Sequence, residues 1–259
     1  MNTSSSYTGF TIIIPARHGS TRLPAKPLRL VAGKTLLEHV YRCAQQSAAS
    51  EIIIATDDER IESVAKGFGA NVCMTSPDHP SGTDRLAEVV ATKNISHDDI
   101  VINLQGDEPL MPAEVINQVA HNLANRESAS AATVCTPITT IKELFDPNVV
   151  KVVVDEHQYA HYFSRAPIPW NRDAFPFDDD AVLEIDSSYQ RHIGLYAYRS
   201  GFLTEFVRWP KCLLEVTESL EQLRILWKGH KIHVDQALKI PGPGVDTEDD
   251  LTTVSKLLQ

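Results

Sequence analysis

The chain has 259 residues, 42% of them hydrophobic and 22% charged, and a formal net charge of -10 at pH 7. This length can bury one sizeable core, so we expect a single α/β domain, or one domain with an appendage, rather than two full domains. The negative balance argues against general nucleic-acid binding, and no apolar run approaches the roughly 18 residues that cross a membrane. With no secretory signal recognisable, the sequence predicts a cytoplasmic protein. Its four scattered cysteines do not suggest a disulfide framework or a zinc site.

The first predicted strand is an apolar, β-branched run that ends at Pro15 and leads into a cationic loop. The loop carries Arg17, Arg22 and Lys26, and no Asp or Glu precedes Glu38. Because nearby carboxylates would cancel the attraction of these cations for an anion, the loop indicates a site for a strongly anionic ligand such as a triphosphate. On charge alone, a solvated basic loop is the alternative.

Strands and helices alternate through the first half of the chain. Apolar residues at helical spacing predict a helix over 35–46, and β-branched runs predict buried strands over 51–56 and 100–104. Further predicted elements are a helix over 60–66, a strand over 70–75 and a helix that opens at 81–85. This alternation predicts an α/β fold with a mainly parallel sheet covered on both faces. In such sheets ligands bind at the carboxyl ends of the strands, where the cationic loop and the turns at Asp57 and 105–109 would meet.

The second half of the chain is less regular. Strands are predicted over 149–155, 159–164 and 191–199, the first two forming an antiparallel excursion. Residues 165–188 are too long for an ordinary connection, and we interpret them as an arm, a lid or a partner-facing insertion. Helical spacing predicts one continuous helix over 213–228. Its predicted apolar side comprises Leu213, Val216, Leu220, Leu223 and Trp227. The last predicted elements are a strand over 231–234 and a terminal helix from about Glu248.

Several familiar motifs are incomplete in this sequence. Residues 33–35, Gly-Lys-Thr, resemble the end of a phosphate-binding P-loop, but Leu28 stands where the motif needs its first glycine. Two Gly-x-Gly pairs lack the third glycine of a dinucleotide fingerprint. His157 and His161 have the spacing of zinc ligands on a helix, but they lie in strand-like sequence without a third ligand. These patterns therefore give no support to a P-loop nucleotide site or to a nicotinamide or flavin cofactor, and they argue against a zinc ion at the two histidines.

Two aspartates are candidates for metal binding. Asp107 lies in the Gln-Gly-Asp-Glu-Pro turn at 105–109, directly after a predicted buried strand and a glycine that permits close backbone approach. This is a suitable position for a Mg²⁺ ion held partly by substrate phosphates. Asp246 follows a Gly-Pro-Gly bend and is the second candidate. Alternatively, Asp246 only caps the last helix beside a capping box at 247–250, and Glu108 is a structural turn residue.

Eight motifs follow one another from about Phe10 to the C-terminus. They are Ile-Ile-Pro-Ala-Arg-His-Gly-Ser-Thr-Arg-Leu-Pro-Ala-Lys-Pro-Leu, Ala-Thr-Asp-Asp, Ser-Gly-Thr-Asp-Arg, Asn-Leu-Gln-Gly-Asp-Glu-Pro, Tyr-Phe-Ser-Arg, Arg-His-Ile-Gly-Leu-Tyr-Ala-Tyr, Leu-Glu-Gln-Leu-Arg and Gly-Val-Asp-Thr-Glu-Asp-Asp-Leu. In this order they resemble the 3-deoxy-manno-octulosonate cytidylyltransferase family, the CMP-Kdo synthetases of bacterial lipopolysaccharide assembly.

The resemblance implies a Mg²⁺-dependent enzyme that joins CTP to the acidic eight-carbon sugar Kdo and releases pyrophosphate. It also implies a three-layer, doubly wound fold of the nucleotide-sugar transferase type and a homodimer, with residues 149–200 as a sugar-binding and dimerisation subregion. The family's triphosphate loop corresponds to Arg17, Arg22 and Lys26. Further nucleotide-binding positions correspond to Ser81, Thr83, Arg85 and Gln105. The metal carboxylates correspond to Asp107 and Asp246. Positions around the sugar correspond to Gln105, Arg165, His192, Tyr196, Glu218 and Gln222.

The residue types suit this chemistry. The loop cations would hold the triphosphate, and Arg165 offers a planar fork that can bind a sugar carboxylate in bidentate fashion. Glu218 and Gln222, four residues apart, would share one helix face. One departure is Ala25, where the family usually has glycine. If that position requires a positive φ, alanine would cost about 1 kcal/mol.

Rival functions differ in substrate or in chemistry. A cytidylyltransferase for 8-amino-Kdo or for a sialic acid would be similar, since no residue in the sequence reports directly on the sugar's C8 substituent. A non-catalytic CTP-binding regulator would keep the basic loop but not need both Asp107 and Asp246.

Overall fold

The fold is a nine-stranded mixed sheet with helices on both faces. The structure is a computed structural model that describes residues 9–19, 23–173, 175 and 188–259. Strand β1 (Phe10–Ala16) lies between β4 (Glu51–Thr56) and β6 (Ile100–Asn103), parallel to both, and β5 (Asn71–Met74) extends the sheet in parallel beyond β4. Strands β1, β4 and β6 correspond to the β-branched runs of the sequence, because strands buried on both faces are continuously apolar. The edge strand β5 is only partly buried.

The other half of the sheet consists of β7 (Ala131–Pro137), β8 (Lys151–Val154), β9 (Ala160–Ser164), β10 (Gln190–Arg199) and β11 (Ile232–Gln236). The antiparallel excursion lies in this half. Strand β10 runs antiparallel between β6 and β7, and the β8–β9 pair joins the sheet through β10. A separate hairpin is formed by β2 (Leu30–Val31) and β3 (Lys34–Thr35), so the Gly-Lys-Thr sequence lies in a hairpin.

The helices form the outer two layers. They are α1 (Leu36–Gln45), α2 (Glu59–Gly67), α3 (Gly82–Thr92), α4 (Ala113–Ala124), α5 (Ile141–Phe145), α6 (Ser200–Phe206), α7 (Leu213–Glu218), α8 (Leu223–Trp227) and α9 (Glu248–Leu257). Ile12 and Ile14 pack in a core with residues of α1, α2 and α4, whereas Ile13 packs in a second core with residues of α3 and α6. Successive side chains of a strand point to opposite faces of the sheet, so these two cores lie on its two sides. The predicted three-layer, mainly parallel architecture is therefore confirmed. No helix in the described part of the chain is long and apolar enough to cross a membrane.

Side-chain caps begin the helices that flank the cleft. Ser81 caps α3, and Thr247 caps α9 with a complete capping box to Asp250. Each cap satisfies backbone N–H groups that have no partner within the helix. Since Thr247 is the cap of α9, the alternative that Asp246 serves as that cap is wrong.

The predicted continuous helix over 213–228 is wrong. Ser219 adopts a left-handed conformation with φ 51°, which ends α7 and separates it from α8. The predicted apolar side is not buried as a unit, since Leu213 is 72% and Trp227 58% exposed. Between the two helices the protein instead buries the ion pair Glu215–Arg224, whose two hydrogen bonds measure 2.7 and 2.6 Å. A left-handed residue reorients the following helix, which helical spacing alone cannot show.

Candidate active site

A cleft of about 310 Å³ lies at the carboxyl ends of β1 and β6. The fold therefore brings together the cationic loop and the 105–109 turn, at the edge where doubly wound sheets bind their ligands. Its lining includes Arg17, Lys26, Ser81, Arg85, Gln105, Asp107 and Asp246. Arg17 is exposed to solvent at this edge. Arg22 lies outside the described residues.

Lys26 lies between the two predicted metal carboxylates. Its Nζ donates hydrogen bonds to Asp107 Oδ2 at 2.6 Å, Asp246 Oδ1 at 2.9 Å and the carbonyl of Val245 at 2.9 Å. Burial alone would lower the pKa of Lys26, but the charges and hydrogen bonds of Asp107 and Asp246 outweigh it and raise that pKa above 10.5. Lys26 is therefore a protonated cation held by both carboxylates, rather than directed only at a phosphate.

The backbone around Lys26 is held by local and distant contacts. Ala25 has φ 53° and ψ 31°, so this position does require the left-handed conformation in which glycine is favoured. The following residues form a short 3₁₀ turn, closed by a 2.8 Å hydrogen bond from Leu28 N to the carbonyl of Ala25. Arg29 then pairs with Glu248 at 2.6 and 2.8 Å. These contacts fix the loop to the start of α9, directly beside Asp246.

The 105–109 turn packs closely against the end of β1. A Cβ on Gly106 would lie 2.9 Å from the carbonyl oxygen of Pro15, so this close approach requires glycine. Gln105 Nε2 donates to Asn103 Oδ1 at 3.1 Å. Burial, with the charge of Asp107 adding to it, raises the pKa of Glu108 to about 7. The glycine thus allows the close approach that the sequence predicted.

The N-terminal turn of α3 contacts a carboxylate that sequence reasoning missed. Ser81 Oγ and Thr83 Oγ1 donate to Glu221 at 2.9 and 2.5 Å. Burial raises the pKa of Glu221. Of these two residues, Ser81 lines the cleft, whereas Thr83 is buried and does not. The signal was present in the Leu-Glu-Gln-Leu-Arg motif, which contains Glu221, although we chose the neighbouring Glu218 and Gln222.

Arg85 supports the floor of the cleft. Its side chain is almost fully buried and donates to Asp57 Oδ2 at 3.1 Å and to the hydroxyl of Thr75. It therefore connects α3 to the turns after β4 and β5. His79, a second residue that we did not predict, also lines the cleft and is paired with Glu88.

The predicted sugar residues fall into two groups, and the first group lies around Arg165. Arg165 Nε and Nη1 donate to the carbonyls of Glu218 and Pro147, both at 2.7 Å. The Glu218 carboxylate accepts from the Arg165 backbone N–H at 2.9 Å and from Ser164 Oγ at 2.6 Å. Gln222 lies beyond the break between α7 and α8. The expectation that Glu218 and Gln222 share one helix face is therefore wrong.

The second group lies on β10. The ring of His192 packs edge-on against Phe163 with centroids 5.0 Å apart, and its Nε2 is 3.3 Å from Thr133 Oγ1. Burial lowers the pKa of His192 to about 3, so the ring is neutral at pH 7. Tyr196 lies next to His192 and pairs with Asn103 of β6 in the sheet register. This register places the second group beside the strand that leads to the 105–109 turn.

The donor set around Lys26 suits a hard divalent cation. Within the described residues, no group of three or more His, Cys, Asp or Glu side chains could hold a metal ion alone. Two carboxylates and one carbonyl do converge on the Lys26 ammonium, and all of these ligands are oxygen atoms. Mg²⁺ is commonly bound by one or two carboxylates together with substrate phosphates. The residues present therefore fit Mg²⁺ bound together with a nucleotide.

Comparison with known proteins first defines the class. A family model described as cytidylyltransferase matches residues 11–232. The crystal structure of 4-diphosphocytidyl-2C-methyl-D-erythritol synthase superimposes with a TM-score of 0.63, covering 97% of this chain and 100% of that one, at 12% identity. At that identity the likeness shows the fold alone. The fold and the family match together define a nucleotidyltransferase.

More similar relatives define the family. The 3-deoxy-manno-octulosonate cytidylyltransferase of Hahella chejuensis (strain KCTC 2396) is 56% identical over 251 residues, covering 97% of this chain and 98% of the relative. That of Pasteurella multocida (strain Pm70) is 52% identical, covering 97% and 99%. A structure of CMP:2-keto-3-deoxy-manno-octonic acid synthetase complexed with CTP matches with a TM-score of 0.86 and 41% identity, covering 97% of this chain and 98% of that one. The chain belongs to the 3-deoxy-manno-octulosonate cytidylyltransferase family.

Proposed function

We propose that this protein transfers the cytidylyl group of CTP to Kdo in a Mg²⁺-dependent reaction, giving CMP-Kdo and pyrophosphate for lipopolysaccharide biosynthesis. The observation that carries the proposal is the convergence of Asp107 and Asp246, from distant parts of the chain, on one cation in a cleft lined by Arg17. The family relatives named for this reaction, and the related synthetase complexed with CTP, support the choice of substrates.

The reaction is an in-line attack of a sugar hydroxyl on the α-phosphorus of CTP. In such transfers the protein mainly positions the reactants and neutralises charge. Arg17 and Lys26, with Arg22 from the same loop, would bind the β- and γ-phosphates and stabilise the leaving pyrophosphate. Asp107 and Asp246 would hold Mg²⁺, which would neutralise negative charge and lower the pKa of the attacking hydroxyl. No strong protein base is then required.

The remaining predicted residues would orient the two substrates. Ser81, Arg85 and Gln105 line the cleft and would contact the nucleotide, with Thr83 supporting Ser81 through their shared partner Glu221. Sugar binding is assigned to Gln105 and to the two groups that contain Arg165, His192, Tyr196, Glu218 and Gln222. A neutral His192 can donate or accept a hydrogen bond from a sugar hydroxyl.

We also propose that the chain is a single domain that acts as a homodimer, with residues 149–200 contributing to sugar binding and dimerisation. The proposal rests on the family resemblance and on the composition of residues 165–188, most of which lie outside the described residues. Trp170, at the start of that segment, is 57% exposed and offers an apolar surface. Sedimentation of the full chain at twice its 28.7 kDa mass is the expected result.

A substrate panel tests the assignment. Purified full-length protein with Mg²⁺ and CTP is offered Kdo, 8-amino-Kdo or a sialic acid, and pyrophosphate release is followed for each. We expect the highest kcat/KM with Kdo. A higher value for 8-amino-Kdo or sialic acid would assign the protein to that substrate instead. Calorimetric CTP binding without pyrophosphate release for any sugar acid would identify a regulator.

A further inference from the structure

All three N–H donors of the Lys26 ammonium are engaged, two of them by carboxylates. An ammonium group has three N–H donors, and the three acceptors around Lys26 Nζ lie on Asp107, Asp246 and the backbone of Val245. Only 15% of the Lys26 side chain is exposed. The protein therefore holds a tethered cation on the two carboxylates to which the proposed function assigns the metal ion.

This arrangement makes Lys26 and a metal ion competitors. The ammonium holds Asp107 Oδ2 and Asp246 Oδ1, and it would strongly repel a divalent ion bound to those same oxygen atoms in a partly buried cleft. A divalent ion can therefore take these two oxygen atoms only by displacing the ammonium. Displacement leaves the ammonium without its anions unless another anion is offered.

We propose that Lys26 is an exchangeable internal cation, which neutralises Asp107 and Asp246 in the nucleotide-free protein and releases them to Mg²⁺ only when the nucleotide triphosphate offers its ammonium a new anion. The inference rests on the proposed function, because it takes the triphosphate and the metal from that function. Metal binding and nucleotide binding then depend on each other. The triphosphate draws the ammonium from the carboxylates, and the metal ion frees the ammonium to bind the triphosphate.

The surrounding contacts indicate that only the side chain of Lys26 moves. The 3₁₀ turn and the Arg29–Glu248 pair hold its backbone. The two carboxylate segments are also joined directly, because Val245 N donates to the carbonyl of Asp107 at 2.9 Å. The carboxylates therefore stay close together when the ammonium leaves. Four rotatable bonds in the lysine stem allow it to turn from them towards a phosphate in the same cleft.

Binding of Mn²⁺ to the full-length protein, followed by electron paramagnetic resonance, tests the exchange without requiring turnover. The variants are Lys26→Gln, Lys26→Met, the cation-preserving Lys26→Arg, and Lys26→Gln combined with Asp107→Asn. Each is measured alone and with a non-hydrolysable α,β-methylene analogue of CTP. Thermal unfolding of each variant shows that it is folded.

We expect wild-type protein and Lys26→Arg to bind Mn²⁺ weakly without nucleotide. If the ammonium occupies the carboxylates for about nine-tenths of the time or more, its removal in Lys26→Gln and Lys26→Met lowers the Mn²⁺ Kd by about tenfold or more. In the double variant the Kd for Mn²⁺ is not lowered, because Asp107 has lost its charge. The CTP analogue lowers the Kd for Mn²⁺ of wild type, so that the Kd values of wild type and Lys26→Gln become more similar.

Equal or weaker Mn²⁺ binding by folded Lys26→Gln would overturn the exchange, because Lys26 would then position the two carboxylates without competing with the metal ion. If Mn²⁺ binding still depended on the CTP analogue and on Asp107, the proposed function would stand and only the exchange would be overturned. Absence of Mn²⁺ binding in every variant, with and without analogue, would overturn the metal assignment and the exchange together.

Discussion

Asp107 is the residue whose charge the proposed chemistry needs most directly. Its carboxylate contacts Lys26 at 2.6 Å and faces the cleft. Asp107→Asn keeps the size but removes the charge that would bind Mg²⁺, so we expect it to abolish sugar-dependent pyrophosphate release while far-UV circular dichroism stays unchanged. Asp98→Asn, at a side chain 95% exposed, is the matched control. Wild-type pyrophosphate release from Asp107→Asn would contradict the metal assignment.

Ala25 tests whether the left-handed position carries a cost in this chain. Its φ of 53° is unfavourable for alanine and neutral for glycine. We therefore expect Ala25→Gly to raise the free energy of unfolding by up to about 1 kcal/mol, measured by urea denaturation. Ala44→Gly, the same change at a buried position in α1, should instead lower it by about 0.5–1 kcal/mol. A loss of stability in Ala25→Gly would show that the turn carries no strain.

His192 should make stability depend on pH. Its folded pKa of about 3 lies below the ordinary value of 6.5, mainly because of burial and secondarily because of Arg191. The neutral ring thus contributes stability that is complete above pH 6.5 and is lost as the pH falls towards 3, since only the unfolded state takes up the proton. The slope contributed is at most about 1.4 kcal/mol per pH unit. Urea midpoints from pH 7.5 down to about 4.5 should fall more steeply for wild type than for His192→Gln. Equal slopes would refute this role, and His157→Gln, at an exposed ring, should not change them.

At the scale of elements, Arg165 connects the end of β9 to the break between α7 and α8. Its guanidinium holds the carbonyls of Glu218 and Pro147 beside the predicted sugar group. We expect Arg165→Ala to raise the KM for Kdo and to leave the Kd for CTP near that of wild type. Arg165→Lys keeps the charge without the planar fork and should also raise the KM. Steady-state kinetics and CTP calorimetry separate the two effects, and a collapse of CTP affinity would place Arg165 in the nucleotide site.

Three strands of the first half were predictable because nearly all of their residues are buried. Strands β1, β4 and β6 are buried on both faces, which the sequence records as continuous β-branched runs. The prediction of one helix over 213–228 failed for a physical reason. Ser219 divides the region by adopting the left-handed conformation, and a serine does not indicate the end of a helix as a glycine does.

In the whole molecule, the sequence predicted that the cationic loop meets the 105–109 turn at one edge of the sheet. It did not predict that Lys26 itself binds Asp107 and Asp246, because that contact depends on the exact positions of three distant segments. The pairing of Glu221 with Ser81 likewise joins residues 140 positions apart. Periodicity reports on local burial, and the motifs gave the order of residues but not their partners.

Whether this cleft joins CTP to Kdo can be followed in a single reaction by ³¹P nuclear magnetic resonance. Full-length protein is mixed with CTP, Mg²⁺ and Kdo, and a parallel sample omits Kdo. We predict that the α-phosphorus of CTP becomes the phosphodiester of CMP-Kdo, with one equivalent of pyrophosphate, and only when Kdo is present. Formation of CDP and orthophosphate, pyrophosphate release independent of Kdo, or unchanged CTP in the complete mixture would contradict the account.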